Sequence, residues 1–470
     1  MGVEGLEELT VIEAAARMRR GDLAAETYAE TLLGRCRAMA DLNAFITIDE
    51  EAVRAAARAA DIARKTGRAL GALHGVPMAV KDNIDVAGLP ATAGTPALAT
   101  NIPRTHAPIV EKLVTAGAIV LGKANMHELA AGATTKNARF GFARNPYDTS
   151  RVPGGSSGGT AVAVGARLAP CGLGTDTGGS NRVPAAYCGV VGFRPSTHRW
   201  SQAGMIANST TRDTAGPMAR TLVDCALLDT IVTGCDPRLE RVALGGLRLG
   251  VSKSDFWAEI DNEIALQLEG SLALLRDAGV ELVDIETKDV FPLTRRAGVV
   301  IAMHEHLPTL SAYLAETGSG LTAARVFSEV ASPDVKAFLD THIGKITAAD
   351  YDRALNVDRP ALQAAYENCF SHNRLDAIIF PTSPIPPPKI SEGETLCING
   401  KTVSTLFTIV RNTDPGSVAG IPGLSLPAGT TSSGLPIGLE IDGPAGSDRR
   451  LLAIGAALEA VLPKSRPPAR

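Results

Sequence analysis

The pattern of apolar and polar positions predicts a helical region at the start of the chain. Thr10 and Glu13 have the spacing of a helix capping box, and Gly21 ends the helix that they begin. Small apolar residues then recur at helical spacing. The helices predicted from these signals are 14–20, 24–40 and 49–68. We expect residues 1–68 to form a helical flank that either covers the core or forms a homodimer contact.

Farther along, short apolar runs alternate with longer amphipathic stretches, which predicts strands that alternate with helices. The predicted strands are 118–121, 171–174, 247–251, 280–285, 376–381, 424–426 and 437–441. The predicted helices are 108–116, 157–168, 260–277 and 450–461, and the segment 293–368 is expected to be mostly helical. Alternation of this kind is typical of α/β folds.

Two segments near the C-terminus interrupt this pattern. The run 381–388 is rich in proline, which cannot continue a helix, and it is too short to tether two domains. We therefore interpret it as a rigid surface connection and not as a domain boundary. Residues 464–470 are predicted to be a disordered tail.

The composition is that of a globular protein with enough apolar residues for a large core. Hydrophobic residues make up 45% of the 470 residues and charged residues 20%. The 46 basic and 50 acidic residues are interspersed and leave a net charge of −4. Such a chain has no electrostatic field suited to nucleic acid or to anionic lipid. Nucleic acid is therefore not expected as a partner.

The N-terminus and the cysteines bear on location. Residues 1–8 are acidic where a signal peptide would be basic and then apolar, and no stretch reaches the roughly 18 apolar residues of a membrane span. The seven cysteines are odd in number, scattered and without a CxxC pair, unlike a disulfide framework or a zinc site. A reduced cytoplasmic protein without a membrane partner is predicted.

The candidate chemistry lies in two segments that are dense in glycine and hydroxyl residues, 154–160 and 174–182. Glycine lets the main chain turn tightly and bring its N–H groups close to a ligand. A serine nucleophile needs a base, and Lys81 ends a short apolar run upstream of both segments. The sequence therefore favours an active site built from these three places.

Three other motifs compete with this interpretation. The run 154–159 fits the GxSxG nucleophile elbow twice, but any GGSSGG run does so, and the elbow also needs a later histidine and acid. Residues 117–123 resemble a P-loop until Ala124, where a Ser or Thr is required. His304 and His306 are two residues apart, so on a helix they point in different directions and a packing role is favoured. No metal is expected.

The order and spacing of Lys81, Ser156 and Ser180 resemble the Ser-cisSer-Lys triad of the amidase signature family. The resemblance is detailed over about 70–220 and returns at 419–438. It implies an α/β amidase signature fold, in which one large mixed β-sheet core is covered by helices on both faces.

The same resemblance implies how the chain is divided. A single amidase domain is expected over 1–470, with its signature core at 70–220. The helical segment 291–370 is expected to build the substrate pocket. Specificity is therefore expected to depend on a part of the chain outside the recognised motifs.

Roles for the triad follow from the resemblance. Ser180 attacks the amide carbonyl, Ser156 takes up the Ser180 proton, and Lys81 accepts a proton from Ser156. The peptide bond before Ser156 is expected to be cis. A lysine acts as a base only when neutral, so burial is expected to lower the Lys81 pKa from its solution value of about 10.4. The resemblance implies no cofactor.

Other residues take supporting roles by the same resemblance. The oxyanion hole is expected to consist of the main-chain N–H groups of Thr177, Gly178, Gly179 and Ser180. The residues expected to support the site are Ser157, Asp176 and Arg182. The carbonyl of Ala130 is expected to contact the substrate. Asn181 stands where the family usually has Ile or Val, which puts the packing beside the nucleophile in question.

The segments 74–77, 125–129 and 211–218 look most like the branch that contains indoleacetamide and mandelamide hydrolases. This resemblance implies hydrolysis of a small aryl or alkyl carboxamide to a carboxylic acid and ammonia or an amine. Carbamate (urethane) or ester hydrolysis is an alternative, and an A-type subunit of an amidotransferase complex is an alternative of another class. His198 and Trp200 replace the Gly and Tyr expected in that branch, so an altered pocket is predicted.

Overall fold

The computed structural model describes residues 5–469. Predictions that reach residues 1–4 or Arg470 therefore lie partly outside the described residues. Within that range, every helix lacks the combination of length and apolar character that a membrane crossing requires.

In the described part of the chain, eleven strands form one mixed sheet and two more form a separate hairpin. The strands are β1 Phe45–Thr47, β2 Pro77–Lys81, β3 Ile119–Ala124, β4 Cys171–Asp176, β5 Val191–Arg194, β6 Thr214–Ala219, β7 Arg248–Val251, β8 Glu281–Asp284, β9 Ala377–Pro381, β10 Thr395–Ile398, β11 Lys401–Ser404, β12 Gly423–Thr430 and β13 Pro436–Asp442. The order in the large sheet is β1-β3-β2-β4-β6-β5-β12-β13-β9-β7-β8, and β10 pairs with β11.

The sheet has a parallel group of strands on each side of an antiparallel centre, and its edge strand β1 is antiparallel to β3. Strands β3, β2 and β4 run parallel, as do β9, β7 and β8. The pairs from β4 through β6, β5, β12 and β13 to β9 are antiparallel. Strand β2 is buried along its whole length, which is typical of a parallel strand covered on both faces.

Sixteen α-helices accompany the sheet within residues 5–469. They are α1 Val11–Arg20, α2 Ala25–Ala38, α3 Glu50–Lys65, α4 Pro108–Thr115, α5 Gly158–Gly165, α6 Arg182–Tyr187, α7 Leu222–Thr233, α8 Asn262–Asp277, α9 Val290–Thr317, α10 Ala323–Ser328, α11 Pro333–His342, α12 Ala348–Arg353, α13 Arg359–Asn373, α14 Thr405–Ile409, α15 Asp414–Ala419 and α16 Asp448–Glu459. The capping box predicted at Thr10 is present, and Gly21 ends α1 in the left-handed conformation.

Helices cover both faces of the sheet, as strand β12 illustrates. Leu424 points at Gly455 of α16, where a Cβ atom would clash with it. The next residue, Ser425, points to the opposite face because side chains alternate along a strand. On that face Gly438 of β13 leaves room for both Ser425 and Ala186 of α6. The predicted α/β fold with one large mixed sheet is therefore confirmed.

Most predicted helices and strands are present with ends shifted by a few residues, but four strands of the large sheet were missed. These are β1, β2, β5 and β6. Strands β1 and β5 span only three and four residues, and β6 contains Gly216 and Pro217, which weaken the strand signal. The division into one domain with the stated subsegments stays a prediction.

The proline-rich run 381–388 is not a surface connection, because nearly all of it is buried. Thr382 bonds to Ser425, and Ser383 bonds to Tyr187. The predicted tail contains no helix or strand in residues 464–469, yet the carbonyl of Arg466 accepts a hydrogen bond from Tyr147. Part of the tail therefore packs against the rest of the chain.

Candidate active site

The parallel pairing of β2 and β4 brings the predicted site together. Lys81 is the last residue of β2, and Asp176 is the last residue of β4. The carboxyl ends of neighbouring parallel strands lie at the same edge of a sheet, so Lys81 lies beside the loop that follows β4. Ser180 lies in that loop, and Ser156 lies in the loop before α5.

Lys81 and Ser156 are in direct contact. The Nζ atom of Lys81 is 2.7 Å from Ser156 Oγ and 2.6 Å from Thr175 Oγ1, and both Lys81 and Ser156 are fully buried. The peptide bond between Gly155 and Ser156 is cis, as expected from the resemblance. Thr175 was not anticipated as a partner of the lysine. Its place one residue before Asp176 is the only signal that the sequence contains.

Burial lowers the pKa of Lys81 from 10.5 to about 7, although Asp213 and Asp176 raise it. The cause is the loss of hydration of the ammonium group in a fully buried position. Asp213 is itself buried, which raises the pKa of its carboxyl group. A substantial fraction of Lys81 is therefore neutral near pH 7, as a general base requires.

Ser180 lines a small chamber of about 100 Å³ and is 8% exposed. Its carbonyl accepts a hydrogen bond of 3.2 Å from the amide of Ser157. This bond joins the loop 177–181, called the nucleophile loop because Ser180 is the predicted nucleophile, to the loop of Ser156. Within residues 5–469, no direct hydrogen bond joins the hydroxyl groups of Ser156 and Ser180. Catalytic hydrogen bonds are often long without substrate and shorten when substrate binds.

Ser157 holds strand β4 and does not contact the lysine. Its hydroxyl donates to the carbonyl of Thr175 at 3.1 Å and accepts the Thr175 amide at 3.2 Å. The side chain therefore fixes the residue that contacts Lys81.

The expected set of oxyanion donors needs one correction. The amide of Gly179 donates to Asp176 Oδ1 at 2.8 Å, so this N–H is not directed at a substrate oxygen. The amides of Thr177, Gly178 and Ser180 make no hydrogen bond within the described part of the chain and remain candidates. Sequence could not separate these four groups because each carries the same N–H.

Asp176 is the anchor of the nucleophile loop. Arg182 Nε lies 3.0 Å from Asp176 Oδ2, and Arg194 Nη1 lies 3.1 Å from Oδ1. Burial raises the pKa of Asp176, but Arg182 and Arg194 outweigh it and hold the pKa well below its usual range. Arg182 also contacts Glu440, which is buried in β13.

Arg194 and Glu440 were not predicted. Glu440 and Asp442 alternate on one face of an apolar strand, so both need buried partners, and that pattern is a signal that could have found them. Asn181, the polar residue beside the predicted nucleophile Ser180, is also accommodated. Asn181 donates from Nδ2 to the carbonyls of Phe193 at 2.9 Å and Pro217 at 3.1 Å.

Ala130 lies in the wall of the Ser180 chamber, in a left-handed conformation with φ of 53°. Its carbonyl accepts a hydrogen bond of 3.3 Å from Asn208 Nδ2. The residue thus lines the chamber, and contact of its carbonyl with a substrate stays a prediction. Asn208, which also lines the chamber, was not predicted.

A larger groove of about 460 Å³ lies beside the chamber. The two share the wall residues Ala131, Gly132, Phe338, Leu406 and Phe407. Helix α9 contributes Val299, Ala302 and Met303 to the chamber, and α11 contributes Phe338. Part of the helical segment 291–370 therefore lines the cavity that contains Ser180.

Trp200 lies away from these cavities, so the predicted effect on the pocket is wrong. Its Nε1 donates to Asp229 of α7 at 3.0 Å, and neither Trp200 nor His198 lines the chamber or the groove. His198 instead adopts a left-handed conformation with φ of 68°. The substitution relative to the related branch is thus accommodated in the packing of the fold.

The His304-Glu305-His306 motif has a packing role. His304 stacks on Tyr351, and Glu305 accepts hydrogen bonds from Ser209 and Tyr351. His306 is fully buried, which lowers its pKa to about 4. No group of side chains suited to a metal ion occurs among residues 5–469.

Comparison with known proteins places this geometry in a family. The sequence profile described as Amidase matches residues 28–452. The indoleacetamide hydrolase of Agrobacterium vitis is 42% identical over 452 residues, which cover 96% of each chain. The mandelamide hydrolase of Pseudomonas putida is 39% identical and covers 99% of this chain and 94% of its own. A crystal structure of an amidase superposes with a TM-score of 0.87 at 33% identity, covering 97% of this chain and all of that one.

Proposed function

This chain belongs to the amidase family and is a hydrolase of amide C–N bonds, and we propose that its substrate is a small aryl or alkyl carboxamide. The products are a carboxylic acid and ammonia or an amine. The observation that carries the mechanism is the buried contact of 2.7 Å between Lys81 and Ser156.

In the proposed first step Ser180 is the nucleophile. Its Oγ bonds to the amide carbonyl carbon while its proton passes to Ser156 and the Ser156 proton passes to Lys81. The lowered pKa of Lys81, about 7, supports this direction of transfer. The tetrahedral intermediate has a negatively charged oxygen, for which we assign the amides of Thr177, Gly178 and Ser180 as donors.

In the proposed second step the intermediate collapses. The C–N bond breaks, the proton held by Lys81 returns through Ser156 to the leaving nitrogen, and an acyl-Ser180 ester remains. Water then attacks the ester carbonyl and gives its proton to the same relay. The Ser180 hydroxyl is restored as the acid leaves, so the cycle needs no other reactant.

The walls of the two cavities support an apolar acyl group. Around Ser180 the chamber is lined by Val299, Ala302 and Met303. Phe338 lines both cavities, and the adjoining groove adds Phe142. The chamber of about 100 Å³ suits the carboxamide, and the groove of about 460 Å³ suits an aryl or alkyl group attached to it. The names of the two hydrolase relatives agree with this class.

The experiment is a substrate panel with the purified chain. Phenylacetamide, a short aliphatic amide, an anilide, a phenyl carbamate, an ethyl ester and glutamine are compared by kcat/KM. We expect the arylacetamide to have the highest value. Preference for the carbamate or the ester would favour the alternative within the family, and glutamine as the preferred substrate would favour an amidotransferase subunit.

Two further proposals concern the location of the chain and its oligomeric state. The chain acts in the cytoplasm, and it works as a single chain or a homodimer without nucleic acid. The scattered cysteines, all seven of which are unpaired, agree with a reducing compartment. Sedimentation of the purified chain at several concentrations distinguishes the monomer from the dimer.

A further inference from the structure

The nucleophile loop is held by its carbonyl groups. Each carbonyl from Asp176 to Ser180 accepts a hydrogen bond from outside the loop or from the start of α6. The donors are Arg194 Nη1 to Asp176 (2.6 Å), Arg212 Nη2 to Thr177 (2.9 Å), Thr413 Oγ1 to Gly178 (2.8 Å), the Val183 amide to Gly179 (2.8 Å) and the Ser157 amide to Ser180 (3.2 Å).

These bonds also determine where the N–H groups point. A trans peptide unit is planar, with its carbonyl and the next N–H on opposite sides. A donor that fixes the carbonyl of Thr177 therefore fixes the N–H of Gly178 in the opposite direction. The Gly178 amide is one of the three N–H groups of this loop that make no hydrogen bond within residues 5–469.

Arg212 fixes that peptide unit from a buried position. Its guanidinium donates to the Thr177 carbonyl, to the carbonyl of Gly298 on α9 at 2.5 Å, and to the carboxylate of Asp414 at the start of α15. It is 3% exposed, although, like Asp414, it lines the chamber of Ser180. The planar fork of arginine can satisfy three acceptors at once, which the single ammonium of lysine does less well.

Gly178 is also constrained by this arrangement. A Cβ atom at Gly178 would lie 2.7 Å from Asp414 Oδ1, closer than real Cβ contacts occur. The Arg212 and Asp414 pair therefore packs directly against the peptide that carries the candidate donor. Neither charged residue has a part in the proton relay.

We propose that Arg212 is a positioning residue that aims the Gly178 amide at the oxyanion of the tetrahedral intermediate. The inference rests on the proposed function, because it assumes acyl transfer at Ser180. It predicts that loss of Arg212 lowers the rate of the chemical step while substrate binding is nearly unchanged. Loss of an arginine that only stabilised the fold would not lower the rate of the chemical step while leaving substrate binding nearly unchanged.

The test compares Arg212→Met and Arg212→Lys with Arg359→Met. Arg359 is a matched control, since its Nε donates to the carbonyl of Val418 in α15 at 2.9 Å without contacting the nucleophile loop. Active sites are counted by a fluorophosphonate. For each variant we measure kcat and KM for phenylacetamide, and the inhibition constant of benzylboronic acid, whose adduct with serine resembles the tetrahedral intermediate.

We expect Arg212→Met to lower kcat per titrated site by about 10- to 100-fold, somewhat less than removal of an oxyanion donor. KM should change by less than about 3-fold, and the inhibition constant of the boronate should rise by the same factor as kcat falls. Arg212→Lys should recover part of the loss, because a lysine can still donate to Thr177. Arg359→Met should keep the wild-type kcat.

Several results would overturn the inference. An unchanged kcat per titrated site in Arg212→Met would do so, as would a rise in KM alone. If Arg212→Met does not fold, Arg212→Lys decides between the same outcomes. A wild-type chain that is not labelled by the fluorophosphonate and hydrolyses no amide would instead overturn the proposed function, and the inference with it.

Discussion

Lys81 Nζ lies 2.7 Å from the hydroxyl oxygen of Ser156, in a position where both side chains are inaccessible to water. The carboxylates of Asp213 and Asp176 raise the pKa of the lysine, but burial of the ammonium group lowers it by more. The lysine is therefore close enough to Ser156 to accept its proton, and its pKa lies near neutral pH, as a general base requires.

Replacing Lys81 removes the only proton acceptor proposed for the relay. Lys81→Met should lower kcat/KM for phenylacetamide by several orders of magnitude, and Lys81→Arg nearly as much, because guanidinium stays protonated. Ester hydrolysis should suffer less, since an alkoxide leaves more readily than an unprotonated amine. Lys112→Met is the control and should keep the wild-type rate. It removes a lysine of helix α4 that donates to the carbonyl of Val232 in helix α7. Retention of a tenth of the amidase activity in Lys81→Met would contradict the relay.

The pH profile of kcat/KM should rise through an apparent pKa of about 7, because Lys81 is a base only above that value.

The free energy of unfolding should also depend on pH through the lowered pKa of Lys81. Between about 7 and 10.5 the unfolded chain binds more protons at Lys81 than the folded chain, so this residue makes the free energy of unfolding rise with pH. The difference in free energy of unfolding, wild type minus Lys81→Met, should therefore increase from pH 6 to pH 9. A constant difference would show that the lysine pKa is not lowered.

Ser180 should carry the covalent adduct. After incubation with a fluorophosphonate, intact and peptide mass spectrometry should locate one adduct on Ser180. Ser180→Ala should abolish labelling, and Ser156→Ala should slow it strongly. Ser157→Ala is the matched control, because this hydroxyl bonds only to the main chain of Thr175 and should slow labelling least. An adduct on Ser156 or Ser157 with Ser180 unmodified would revive the nucleophile-elbow interpretation.

Asp176→Asn should destabilise the fold. The substitution leaves Arg182 and Arg194 without the carboxylate between them, and breaking a buried ion pair costs about 3–5 kcal/mol. Urea unfolding at pH 7 measures the loss. Asp148→Asn, which affects a partly exposed pair with Arg151, should cost less than about 1 kcal/mol. Equal losses in the two variants would show that Asp176 is not the anchor of the loop.

Phe338 borders both the chamber and the groove, so its ring should contact the acyl group of an aryl substrate. Phe338→Ala should raise KM for phenylacetamide about 10-fold, as expected for the loss of ~1.4 kcal/mol of apolar contact. KM for a short aliphatic amide should remain near the wild-type value, because such a substrate stays within the chamber. An equal change for both substrates would place the aryl group elsewhere.

The local motifs were predictable because neighbouring residues determine them. The capping box at Thr10 and the turn at Gly21 depend only on residues within one helical turn. The triad was assigned from short segments whose residue types and spacing match a known family. In contrast, the engagement of the Gly179 amide by Asp176 depends on how the loop closes, and four identical N–H groups give no sequence signal for it.

By itself, the sequence determined most helices and strands and the family, and it located the three residues that we propose as the triad. The tertiary structure decided which groups support them. Arg182 meets Glu440 from 258 residues away, and Arg212 meets Asp414 from 202 residues away. A charge removed from water needs a partner, and any strand or loop that the fold brings alongside can supply it. Which residues become partners depends on the strand order of the sheet, and composition and periodicity along the chain do not encode that order.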